Sequence, residues 1–199
     1  MSQDTKSLTS KAELRRQQIL DAAAECFRKS GFHGASMSEI AKSFGMSAGH
    51  IYNYFESKEA IIEAMVKRDL DQALERIAKI QGEKDILKAM LGTVDDSVQR
   101  RIARSELDTE ILAEAARNPK IAATVQCTDA VIRDKVIHLI KGVQPAKDTP
   151  ACELNLAAKS TILMALFDGL QIRAIRDPNM KADDIARVLK TVIQQMLQS

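Results

Sequence analysis

Residues 31–61 read GFHGASMSEIAKSFGMSAGHIYNYFESKEAI. Ser36, followed three residues later by Glu39, is a capping-box signature that opens a helix. Met37, Ile40, Ala41 and Phe44 then recur at i, i+3, i+4 and i+7, the stripe of a short amphipathic helix. Gly45 stops it, and Ser47 caps a further short helix expected to reach Tyr54 or Phe55. A helix of about eight residues, a tight glycine turn and a second short helix make a helix-turn-helix pattern.

Working outward, apolar residues keep helical spacing in every long segment, and no alternation of the strand type appears. A first helix is expected over about Lys11 to Ser30, with Ile19, Leu20, Ala23 and Phe27 on one stripe and Gly31 at its end. Ser57 caps a longer helix to Ile80, which at 1.5 Å per residue spans about 36 Å. Five more helices follow over 84–103, 105–117, 119–141, 151–176 and 182–198. They are punctuated by Asn118-Pro119, the loop from Gly142 to Pro150, and Asp177-Pro178. The expected fold is all-α with about nine helices. A three-helix head with an N-terminal arm occupies 1–57, and a larger helical body occupies 58–199.

Composition narrows the function classes. The 199 residues are 45% hydrophobic and 28% charged, which is ordinary for a globular protein. No run approaches the roughly 18 apolar residues of a membrane span, so no membrane partner is expected. The N-terminus is polar and lacks a signal-peptide core, which points to the cytoplasm. Cys26, Cys127 and Cys152 are scattered and fit neither a disulfide framework nor a metal knuckle. His33, His50 and His138 are dispersed, with no metal-ligand spacing, phosphate-binding glycine loop or hydrolytic triad, so neither an enzyme nor a metal or cofactor site is expected. Net charge is only +2. Residues 1–59 carry eight Lys or Arg against seven Asp or Glu. A nucleic-acid partner must therefore be argued from the placement of charge and not from its total.

Placement is informative. The chain is 4% aromatic, yet Tyr52, Tyr54 and Phe55 stand nearly side by side. On a helical wheel Ile51 and Phe55, helped by Ala48, share a face that packs on the preceding helix. Gly49, His50, Tyr52 and Asn53 point elsewhere. Such a face suits the major groove, where Gly49 removes a side chain that would hold the helix off the bases. Asn53 matches adenine N6 and N7, and His50 can donate to a purine acceptor. Tyr52 and Tyr54 offer hydroxyls to phosphates, as do Ser36 and Ser38 at the start of the second helix. Lys58 is expected beside a phosphate at the start of the next helix. Ser36, Ser47 and Ser57 act as caps whatever else they do.

With these residues in view, the stretch closely resembles the DNA-binding head of the TetR family of bacterial transcriptional regulators. The resemblance extends back through RRQQILDAAAECF to cover roughly residues 12–62. Its specific elements are Gly31-Phe32, the Ser36 to Ile40-Ala41 spacing, Gly45-Met46-Ser47, Gly49, Ile51-Tyr52, Phe55 and Lys58. The family implies a homodimer that places one such helix from each subunit into the major groove of a pseudo-palindromic operator. It also implies a body that binds a small effector, which releases the DNA. By the same resemblance Ser36, Ser38, Ala48, His50, Tyr52, Asn53, Tyr54 and Lys58 occupy positions that commonly touch DNA. Many relatives carry a basic residue where this chain has Ala48, and an arm holding Lys6, Lys11, Arg15 and Arg16 is the expected substitute. The alternatives are an activator of the same fold and a helical interaction module without DNA binding.

In the body, LAEAARNPKI and ALFDGLQIRAIRDP resemble family-typical stretches. Leu156, Leu163, Leu170, Val188, Val192, Ile193 and Met196 supply apolar faces for a four-helix dimer interface. Met90, Val94, Leu107, Ile111, Met164 and Phe167 are expected to line an effector pocket, which favours a hydrophobic effector.

Overall fold

A computed structural model describes the backbone of residues 2–143 and 150–198, and the side chains of 11–143 and 155–198. Lys6 and Cys152 therefore lie outside the described side chains. Among the described residues all regular structure is helical, as expected. The helices are α1 (Ser2–Gly34), α2 (Met37–Ser43), α3 (Ala48–Ile51), α4 (Lys58–Gln81), α5 (Ile86–Gly92), α6 (Val94–Ala103), α7 (Ser105–Ala115), α8 (Pro119–Val143), α9 (Pro150–Arg176) and α10 (Ala182–Gln198).

The first helix, expected from about Lys11, starts at Ser2, so the expected N-terminal arm continues it as helix, and α7 and α8 end within two residues of expectation. Three further differences have local reasons. Gly31 does end the first helical run, with φ 69° and ψ 167°, but one more helical turn follows it within α1. The expected helix over 84–103 is two helices. Gly92 weakens the run, and the Thr93 N–H bonds to the Met90 carbonyl at 3.1 Å, a tightened turn that ends α5. The third helix closes at Ile51, after which the Asn53 and Tyr54 N–H groups reach back three residues to His50 and Ile51.

Packing groups the chain into two compact units. The first joins the described residues up to Arg68 with Glu110–Thr124. Its core is built from Ile19, Leu20, Ala23 and Phe27 of α1, Ile40 and Ala41 of α2, Ile51 of α3, Phe55, and Ile61, Ile62 and Met65 of α4, all at most 2% exposed. Ile121 of α8 is also fully buried.

The second unit holds Asp69–Thr109 and the described residues from Val125 onward. Its core draws on Ile77 and Ile80 of α4, Met90 of α5, Val94 and Val98 of α6, Leu139 and Ile140 of α8, Leu156 and Leu163 of α9, and α10. On α10 the buried residues are Ala186, Leu189, Ile193 and Leu197, one stripe at helical spacing. Asp183 and Asp184 stand in its first turn, where negative charge favours the helix. No helix among the described residues is long and apolar enough to cross a membrane.

Candidate nucleic-acid interface

The interface begins with a capping box. The Ser36 hydroxyl accepts from the Glu39 N–H at 3.1 Å, and the Glu39 carboxylate accepts from the Ser36 N–H at 2.8 Å. The same carboxylate accepts the Ser36 hydroxyl proton at 3.0 Å. Hydrogen bonding from the Ser36 backbone, then from its side chain, holds the Glu39 carboxyl below its ordinary range. The box fixes the start of α2, whose Ile40 and Ala41 are fully buried. Gly45 then turns the chain at φ 72°, in the left-handed region that glycine enters most readily. The Ser47 hydroxyl caps α3 by accepting from the His50 N–H at 3.3 Å.

This anchoring leaves α3 two-sided. Ile51 is 0% and Phe55 2% exposed, so both hold the segment down. Ala48, Gly49, His50, Tyr52 and Asn53 are exposed, with Tyr52 at 55%. Ala48 was expected to help Ile51 and Phe55 pack, but it is exposed, and Ile51 is the residue of the single turn of α3 that is buried. A Cβ added at Gly49 would meet nothing within 4 Å. The chain's own packing therefore does not require glycine there. Tyr54 is half-buried, and its ring stacks on His50 with centroids 5.9 Å apart and planes 9° from parallel. Ser38 is exposed in the first turn of α2.

Three cations expected at DNA also make contacts within the fold. The Lys58 ammonium donates to the carbonyls of Phe32 and Ala35 at 2.6 and 2.7 Å and lies 4.6 Å from the Phe32 ring centroid. It ties the start of α4 to the chain entering α2, which leaves one of its three donors for a phosphate. Arg16, expected in a DNA-seeking arm, is half-buried. It donates to the Tyr54 carbonyl at 2.7 Å, with its guanidinium 4.2 Å from the Phe55 ring centroid. Arg15 stands 5.3 Å from the Phe44 ring centroid. Both arginines brace the helix-turn-helix, because short helices with few buried residues need ties from α1.

Sequence spacing gives no sign of a further support from α7. The Phe32 N–H donates to Glu110 at 3.1 Å, and His33 Nε2 lies 3.1 Å from the buried Glu114 carboxylate. These partners are far apart along the chain, and only the fold brings them together.

The residues expected to line a pocket are not gathered as one set. Met90 and Val94 belong to the second unit's core, and Phe167 packs against it. Ile111 falls in the first unit, and Leu107, which is 2% exposed, in the second. Met164 is half-buried on α9.

The expected dimer residues also divide. Leu156, Leu163 and Ile193 fill the subunit's own core, and Leu170 and Met196 pack against it. Val188 and Val192 are 65% and 40% exposed. On α10 the core takes the 186, 189, 193 and 197 stripe, and positions 188 and 192 fall on the other side of the helix. Ile162, Ile172 and Ile175 of α9, which sequence reading passed over, are exposed as well. Their signal was the apolar character of α9 around its circumference, since a helix apolar on every side must cover more than one face.

Comparison with known proteins adds to this geometry. The family described as bacterial regulatory proteins, tetR family, matches residues 19–65. The family described as BetI-type transcriptional repressor, C-terminal, matches residues 83–198. The chain is 31% identical over 181 residues to the HTH-type transcriptional regulator UidR of Escherichia coli, covering 91% of this chain and 89% of that protein. The solved structure of Salmonella enterica GusR superposes with a TM-score of 0.75 at 27% identity, over 92% of this chain and 95% of that one. FadR from Bacillus subtilis, solved in complex with stearoyl-CoA, shares the fold with a TM-score of 0.73 at 18% identity, over 89% of this chain and 96% of that one.

Proposed function

This chain belongs to the tetR family of bacterial regulatory proteins, and we propose that it works as a homodimeric repressor released from a pseudo-palindromic operator by a small-molecule effector. One observation carries the DNA-reading half of this account. Gly49, His50, Tyr52 and Asn53 are exposed on a segment that Ile51 and Phe55 anchor. Asn53 pairs with an adenine edge, His50 donates to a purine acceptor, and bare Gly49 beside Ala48 admits the groove wall. Tyr52, Tyr54, Ser36, Ser38 and Ser47 position the segment on phosphates, joined by the remaining donor of Lys58.

DNA binding is assigned to 1–57, and effector binding with dimerisation to 58–199. Ile162, Ile172 and Ile175 of α9 with Val188 and Val192 of α10 give the dimer its face. Exposed large apolar residues are what a second copy would cover. Two recognition segments then enter successive major grooves, about 34–36 Å apart. The effector acts through its differential affinity for the DNA-competent and incompetent arrangements. That FadR was solved with stearoyl-CoA supports an effector with an apolar portion held in the body.

The test is selection of DNA from a random duplex pool by the full-length chain, followed by footprinting. An inverted repeat protected on two half-sites about one helical turn apart is expected. Recovery of no duplex, or of single unpaired half-sites, would contradict it.

A further inference from the structure

The second unit gathers four half-buried arginines: Arg76 on α4, and Arg100, Arg101 and Arg104 on α6. Two of them are compensated. Arg104 forks onto Asp69 at 3.0 and 2.5 Å and reaches Asp108 at 3.2 Å. Asp108 is held in turn by the Gln171 amide at 2.7 Å. Arg101 stands 3.4 Å from Asp168.

Arg76 and Arg100 are different. Among the described residues no carboxylate lies within ion-pair distance of either, and Arg100 donates only to the Ser97 hydroxyl at 3.2 Å. Helical spacing keeps them near the compensated pair. Arg100 precedes Arg104 by one turn of α6, and Arg76 follows Asp69 by two turns of α4. Burial pulls the Arg76 guanidinium below its ordinary range, and Arg100, Arg101 and Arg104 add repulsion that Asp69 opposes. Burial likewise lowers Arg100, with Arg101 and Arg104 adding to it and Asp96 opposing. Guanidinium does not give up its proton in proteins, so like charges are held together partly out of water. Like charge gathered partly out of water with no carboxylate partner is an unfavourable arrangement, and it marks a place where something else supplies the missing charge.

We propose that Arg76 and Arg100 anchor an effector site for a small organic anion, a ligand bearing a carboxylate or a phosphate group. This deepens the regulator reading and rests on it. Arg101 and Arg104 are occupied by Asp168, Asp69 and Asp108, so the two remaining guanidinium forks receive the anion in the paired geometry that suits planar carboxylate and phosphate oxygens. The apolar remainder of the effector is free to meet the surrounding helical body.

The test uses the full-length chain at fixed ionic strength, with citrate as the carboxylate probe, pyrophosphate as the phosphate probe and potassium chloride as the control. Thermal melting and titration calorimetry are read for wild type, Arg76→Gln, Arg100→Gln and Arg187→Gln, an exposed arginine paired with Asp184 on the surface. Without probe, Arg76→Gln and Arg100→Gln should melt at or above the wild-type temperature, because each removes repulsion without orphaning a carboxylate. Citrate or pyrophosphate should raise the wild-type melting temperature, and Arg76→Gln and Arg100→Gln should weaken binding at least tenfold while Arg187→Gln leaves it unchanged. A response to citrate alone assigns a carboxylate, and a response to pyrophosphate alone assigns a phosphate. The inference is overturned if either variant melts lower than wild type without probe, if both bind as wild type does, or if neither probe binds. Gel shifts on selected operator DNA, run in parallel, keep the two readings apart. Intact operator binding with no anion response removes only the anchor, whereas loss of operator binding by wild type removes the regulator reading.

Discussion

The Lys58 ammonium hydrogen-bonds the Phe32 carbonyl at 2.6 Å and lies 4.6 Å from the centroid of the same residue's ring. A cation that sequence alone assigns to DNA is thus a tie between α4 and the entry to α2. With the Ala35 carbonyl also served, its removal orphans two part-buried acceptors. Lys58→Met should therefore lower the stability of the folded chain by about 1–3 kcal/mol, the range for losing such a bond to a charged group. Urea unfolding followed by circular dichroism checks this. An unchanged midpoint would return Lys58 to a purely DNA-facing role.

Gly31 carries φ 69° and ψ 167°, a region that side chains other than hydrogen scarcely enter. Space is not the obstacle, since an added Cβ would lie 3.5 Å from the nearest Glu110 oxygen, an ordinary contact. Gly31→Ala should lose about 1–3 kcal/mol through backbone strain alone. Adding Glu110→Gln to Gly31→Ala should not recover it. Recovery in the double variant would mean the loss came from the Glu110 contact instead.

The capping box gives a pH dependence with a definite sign. The folded Glu39 carboxyl is held below its ordinary range, first by the Ser36 backbone and then by the Ser36 side chain. The unfolded chain therefore binds a proton more readily. The stabilisation is complete above the ordinary carboxylate range and is lost as pH falls through the lowered folded value. Glu39→Gln should reduce the difference in melting temperature between neutral and acidic buffer. An acid response identical to wild type would show that the box contributes nothing to it.

Much of this was legible in the sequence for identifiable reasons. Helix positions follow from apolar spacing, and the capping box and glycine turn of residues 36–47 are local chemistry that does not depend on the rest of the fold. The two-sidedness of α3 follows from Ile51 and Phe55, four residues apart. The roles that were not legible belong to residues whose partners are distant. Arg16 meets Tyr54 and Lys58 meets Phe32, and nothing local distinguishes a basic side chain that reaches a carbonyl from one that reaches a phosphate. The body was harder still, because an apolar stripe such as Leu156, Leu163 and Ile193 looks the same whether it covers the subunit's own core or a partner's.

That ambiguity gives a paired experiment. Val188 is 65% exposed, and charge there disturbs only what a second copy covers. Val188→Glu with Val192→Glu should shift the chain from dimer to monomer in sedimentation at constant helix content. Ile193, 2% exposed, should behave oppositely. Ile193→Ala should lose about 2–5 kcal/mol of stability, as a large-to-small change in a core does. A dimer that tolerates both glutamates would place the interface elsewhere.

The most direct measurement concerns Gly49, on the exposed side of α3. A leucine there has open space in the free protein and improves helix propensity by up to about 1 kcal/mol. Titrating selected operator DNA with wild type and Gly49→Leu, alongside their melting curves, separates reading of the groove from folding. Gly49→Leu should show an unchanged or higher melting temperature with operator affinity reduced at least tenfold. Equal affinity in the two proteins would contradict the placement of this face against DNA.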